Sequence, residues 1–83
     1  MRAHARGESD QAALVTEATA LLTKTDPTAV SVGLLAAWVA AEDEAAFIAT
    51  VQRGMTITEE DADAITDLAR MGAFYAAATW LVS

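Results

Sequence analysis

The chain holds 83 residues, 54% of them hydrophobic, with five Lys and Arg against twelve Asp and Glu, a net charge of −7 and no Cys. That length suits one domain, and the lack of Cys excludes disulfides, thiolate chemistry and the common structural zinc sites. The acidic excess works against binding to nucleic-acid phosphates and against attraction to an anionic membrane surface, so no nucleic acid is expected as a partner.

Ala alone supplies 21 residues. It is the strongest helix former and brings little side-chain burial. Helices are therefore easy to form here, while the core has few large side chains to draw on. A chain of this size buries roughly 60% of its unfolded surface, and association with another copy is one recognised way to stabilise so small a scaffold.

Residues 1–8, with Arg2, His4, Arg6 and Gly7, show no apolar period and read as an N-terminal tail to a single helical domain over 9–83. The opening MRAHARGESD has no apolar stretch behind its arginines and does not read as a signal peptide. A first helix is expected to start at Ser9 or Asp10, both good caps. Its apolar stripe is Leu14, Val15, Ala18, Leu21 and Leu22, and Lys24 suits the negative end of its dipole.

In TDPTAV, Asp26 can cap and Pro27 can take the first helical position, where its missing N–H costs nothing. The second helix carries Val30, Leu34, Leu35, Trp38 and Val39, with Gly33 inside it, as a close helix contact would require. Large residues before Glu42-Asp43-Glu44 centre on Leu34 and Trp38. Those after it, Phe47, Ile48 and Val51, centre roughly 120° away at 100° per residue. A break near Glu42–Asp43 follows, with Asp43 capping a short helix over Glu44–Arg53 and Gly54 as its C′ residue.

Thr58 then caps a last helix whose first turn, Glu59, Glu60 and Asp61, meets the positive dipole end. The pattern runs this helix to the C-terminus. Ile65, Leu68, Ala69, Gly72, Tyr75, Ala76 and Thr79 fall on one face, and Asp63, Asp67 and Arg70 on the other. From Met71 to Ser83 no charge remains and the apolar residues point all round, a pattern normally buried on every side. The longest uncharged runs, Pro27–Ala41 and Met71–Ser83, are shorter than the about 20 residues of a membrane span.

The expected fold is all-α, a compact bundle of three to four helices with the C-terminal helix central. Enzyme chemistry has little to stand on. The single His is His4, in the tail, so Ser–His and Cys–His pairs have no support. Glu60, Asp63 and Asp67 share a helix face, but no EF-hand loop or Glu-x-x-His motif accompanies them, so no metal or other cofactor is expected. The acidic residues Glu42, Asp43, Glu44, Glu59, Glu60 and Asp63 read first as solvated helix starts and second as a contact surface for a basic partner. Trp38, Met71, Phe74, Tyr75, Trp80 and Leu81 are candidate interface residues, since Trp and Tyr dominate binding hot spots.

The run LLAAWVAAEDEAAFIATVQRGMTITEEDADAITDLARMGAFYAAATWL resembles a pattern in small helical proteins of high-GC actinobacteria and their phages: an Ala/Leu-rich helix, an acidic corner, a short helix, Gly, a Thr-capped acidic start and an Ala-rich helix. The resemblance implies no catalytic residue. A non-enzymatic interaction module is expected, acting as a homo-oligomer or on a protein partner through the C-terminal helix. The alternatives are an acidic, antitoxin-like inhibitor of a basic partner, or a structural part of a phage or other large assembly. The expected location is cytoplasmic, or virion-associated for a phage protein.

Overall fold

The computed structural model describes the backbone of residues 2–83 and the side chains of residues 10–83. Five helices follow one another: α1 (Arg2–Leu22), α2 (Pro27–Ala40), α3 (Glu44–Gly54), α4 (Glu59–Arg70) and α5 (Phe74–Val82). No strand occurs among the described residues. The expectation of an all-α globule holds, and the expected three to four helices become five.

The helix starts are set by their caps. Asp26 accepts the Ala29 N–H at 3.0 Å, Asp43 the Ala46 N–H at 2.8 Å and Thr58 the Asp61 N–H at 3.0 Å. Each satisfies one of the donors that a first helical turn leaves free. The break at Ala41–Asp43 separates α2 from α3 as the change of apolar face requires. The start of α1 differs from expectation, since the backbone is helical from Arg2 rather than from Ser9 or Asp10. The side chains of the expected tail, residues 1–8, lie outside the described residues. Lys24 stands beyond the end of α1, not in its last turn.

The expected single C-terminal helix is the main correction. It stops at Arg70 and restarts at Phe74. Gly72 has φ +76, the Gly72 N–H donates to the Ala69 carbonyl at 2.9 Å, and the Ala73 N–H donates to the Leu68 carbonyl at 2.8 Å. These two bonds and the left-handed glycine make a Schellman stop. The corner resets the helical phase, so Tyr75, Ala76 and Thr79 face outward and Ala77 and Ala78 face the core.

The C-terminal helix is not central either. That place belongs to α2, which packs against all four other helices. Its inward face is Val30, Gly33, Leu34, Ala37 and Ala40. It runs antiparallel to α1: Gln11 Nε2 donates to the Ala40 carbonyl at 2.5 Å at one end, and Leu21 and Leu22 meet Gly33 at the other. The six largest fully buried side chains are Phe47, Leu22, Leu34, Ile65, Val30 and Val51, contributed by α1, α2, α3 and α4. Trp38 meets Phe47 edge to face, ring centres 5.1 Å apart at 84°, an arrangement favoured by the ring quadrupoles.

Two glycines let α1 approach its neighbours. A Cβ on Gly33 would stand 3.0 Å from Leu21 Cβ, 3.1 Å from Leu22 Cγ and 3.2 Å from the Ala18 carbonyl. A Cβ on Gly54 would stand 2.6 Å from Leu22 Cβ and 2.9 Å from the Thr19 carbonyl. Gly33 therefore serves the close contact its helical position suggested. Gly54 is not the C′ residue of α3: it lies inside the helix, Met55 is the cap, and it is the closeness of α1 that leaves no room for a side chain there.

Gly54→Ala is expected to cost more stability than Gly33→Ala, although both gain up to about 1 kcal/mol of helix propensity. Overpacking costs about 1–3 kcal/mol, and at Gly54 the clash is with a Cβ and a carbonyl that cannot rotate away. Thermal unfolding of the two variants checks this; an equal or smaller loss at Gly54 would show that α1 and α3 are free to move apart. Asp43→Ala should cost about 1 kcal/mol through the lost cap, read in the same melts.

Candidate functional site

The large apolar residues divide between interior and surface in a way the sequence pattern only partly anticipates. Met71 is 70% exposed, Tyr75 58% and Trp80 56%. Phe74 and Leu81 are half-buried and pack against the core from α5, and Trp38 does so from α2. Of the six candidate interface residues, three thus stand outward at the C-terminal end and three contribute to the fold.

The physical reason lies in the inner face of α5. Its two buried residues are Ala77 and Ala78, side chains small enough to bring α5 close to α2. Phe74, Leu81 and Val82 close around that contact. The opposite arc, Tyr75, Ala76, Thr79 and Trp80, has no helix over it. Trp80 is nevertheless oriented, because its indole N–H donates to Asp61 Oδ1 at 3.2 Å, tying the end of α5 to the first turn of α4. The polar edge is satisfied within the chain while the ring keeps most of its surface in solvent, the state in which Trp makes a strong contact anchor.

A second exposed apolar set lies on α2. Leu35 and Val39 belong to the large apolar residues of this helix that centre, in the sequence pattern, on Leu34 and Trp38. They stand 45% and 63% exposed, with Val32 beside them at 49%. These three recur at i, i+3 and i+7 and form one stripe. Since α2 is apolar on every side, periodicity within it cannot tell which side the other helices will cover.

The six acidic candidates are all exposed, and the fold gives them different partners. Asp43 is engaged as the α3 cap. Glu44, in the first turn of α3, takes two hydrogen bonds from Arg70 in the last turn of α4: Nε to Oε2 at 2.5 Å and Nη2 to Oε1 at 2.6 Å. Arg70 Nη1 also donates to Asp67 Oδ1 at 2.7 Å. Both ions of the bidentate pair sit at the helix end whose dipole favours them. Glu44, Glu59 and Asp63 line a shallow groove between α3 and α4 with Asp67, and Arg70 is the only basic residue in its walls. Glu42 stands at the α2–α3 corner near Trp38, and Glu60 faces solvent outside the groove.

The hydrogen bonds from Arg70 hold the Glu44 carboxyl below its ordinary value of 4.5, outweighing the opposing effect of desolvation, with the Arg70 charge adding to them. The same bonds hold the Arg70 guanidinium above its ordinary range. A depressed carboxylate adds stability that is complete above its unfolded pKa and is lost as pH falls through the folded one. The pair is solvent-exposed, so the effect is small and screened by salt. Glu44→Gln should therefore melt below the unmodified chain near neutral pH, with the gap closing at acid pH once Glu44 is protonated in both states. Melting curves over pH 2–7 read this, and a gap that stays constant would assign the loss to packing instead of charge.

Among the described residues, no group of three or more His, Asp and Glu is placed to hold a metal ion, and no helix is long and apolar enough to cross a membrane. No known protein family, curated protein or solved structure matches the chain.

Proposed function

We propose that the protein is a non-enzymatic interaction module that binds a protein surface, a second copy of itself or a separate partner, through the outer side of its C-terminal helix. Tyr75 and Trp80 on that helix, with Met71 at the end of α4, are its contact anchors. One observation carries the reading: three large apolar side chains, all more than half exposed, stand within a segment that has no charge from Met71 to Ser83. Large apolar side chains left on a protein surface are the material of interaction sites, and Trp and Tyr lead the residues whose truncation costs most binding energy.

The net charge fits this arrangement. With a charge of −7, two copies repel over most of their surface. An uncharged end is where another protein can approach without paired cations. Trp80, already held by Asp61, loses less rotational freedom on binding than a free side chain would.

Sedimentation and light scattering across concentration test self-association, and a crosslinked pull-down from the native host tests a separate partner. Trp80→Ala should weaken the resulting complex by about tenfold or more and cost the fold only about 1 kcal/mol through the lost hydrogen bond to Asp61, since more than half of the residue is in solvent. A chain that stays monomeric and captures nothing would defeat the proposal, as would a complex indifferent to both Trp80→Ala and Tyr75→Ala.

A second reading has one observation in its favour. In the groove between α3 and α4, Glu59 and Asp63 share a wall with only one basic residue, and that residue is already bound by Glu44 and Asp67. A basic partner would meet uncompensated acid there, as an antitoxin-like regulator would need. Such a complex should weaken steeply with salt. A complex unchanged at 1 M NaCl points back to the apolar surface.

A further inference from the structure

We propose that the corner between α4 and α5 is a hinge through which two copies of this chain exchange α5, each docking on the other's α2. The occupant of the vacated α2 face is thus the α5 of a second copy, using its inner side. The inference does not rest on the outward-facing Met71, Tyr75 and Trp80.

The first observation is the corner itself. Gly72, with φ +76, is the only residue of positive φ among the described residues. It is exposed, and no atom lies within 4 Å of where its Cβ would be. The backbone at Gly72 can therefore turn without meeting a neighbour there, and Ala73, at φ −93 and ψ 60, must turn with it to continue the helix. The second observation is the start of α5. Unlike α2, α3 and α4, it has no side-chain cap, since Ala73 occupies that place. Its first N–H groups would gain intrahelical acceptors if α4 ran straight into it. The third is local sequence: Glu59–Val82 contains no Pro and only one Gly, so every other residue favours or tolerates the continuous helix.

In that straight form the helix is about 36 Å long at 1.5 Å per residue, and α5 is carried away from its own α2. Ala77, Ala78, Phe74, Leu81 and Val82 then have one complementary surface, the same α2 face on another opened copy. All the buried contacts of the closed form are regained there, which is why such exchange needs little new surface. The Trp80–Asp61 hydrogen bond reports the change. In one straight helix the two residues lie about 28 Å apart, so the bond can form only between chains.

Gly72→Ala shifts the balance from both sides. The left-handed corner penalises Ala by on the order of tenfold, and the continuous helix favours Ala over Gly by about fivefold. With two hinges per dimer, the dimerisation constant should rise by on the order of 10³-fold. Gly72→Asn, which tolerates the left-handed region better, should rise less. The test is sedimentation equilibrium on the full chain and both variants, each refolded at about 1 mM. Mixed labelled and unlabelled chains then give isotope-filtered NOEs between the Trp80 indole proton and the α4 residues around Asp61.

The expected result is a dimer favoured in the order Ala, Asn, Gly, with those NOEs crossing between chains. Two results overturn the proposal: a Gly72→Ala chain that stays monomeric at this concentration, or a dimer whose Trp80–Asp61 contact remains within one chain. If Gly72→Ala does not fold, the unsubstituted chain refolded at about 1 mM decides by the same NOE. A dimer of the second kind, weakened by Trp80→Ala, would instead belong to the outer-face interaction.

Discussion

The close approach of α1 to α2 and α3 is the constraint on which the other contacts rest. Leu22 is held where a side chain on Gly33 would touch it and one on Gly54 would collide with it. No bulkier pairing could bring three helices together at this point. Leu22 is fully buried as a result, with Val30, Leu34, Phe47 and Val51 gathered in the same core. In a chain with few large apolar residues, density has to come from backbones packed close together. Interiors gain stability from that density because dispersion contacts fade over fractions of an ångström.

The same economy explains the surface. Ala18, Ala37, Ala69, Ala77 and Ala78 all face inward. Small residues on the inner faces let helices approach, and they leave larger ones on the outer faces. So Val32, Leu35 and Val39 stand outside on α2, and Tyr75 and Trp80 outside on α5. The exposed apolar surface from which the proposed function is argued is a consequence of how the core is made. An Ala-lined α5 docks closely on α2 with Tyr75 and Trp80 turned away and Phe74 at the edge of the contact.

Charge organises the remaining side. Acidic residues fill the first turn of α4 and cap α3, and the Arg70 fork ties the end of one helix to the beginning of the other. These contacts are exposed and contribute modestly. Their use is to set the alignment of α3 and α4. The two ions come from helix ends of opposite dipole sign, so the pairing favours these helices running antiparallel.

Local chemistry made much of this legible from the sequence alone. Asp26-Pro27, Asp43 and Thr58 announce their helix starts because a capping side chain acts on a backbone N–H three residues away. The rotation of the apolar face between Leu34 and Phe47 announces the break at Glu42–Asp43 for a similar reason. The corner at Gly72 was legible in principle, as an Arg70-Met71-Gly72 stop. A continuous helical phase through Tyr75 argued against it, since a stop costs little and periodicity alone does not register one. Three things were decided only by tertiary packing: which side of α2 is covered, how Glu44 meets Arg70 across 26 residues, and why Gly54 must lack a side chain. Each depends on where a distant helix lies. A helix apolar on every side, such as α2, carries no internal mark of the face its neighbours will choose.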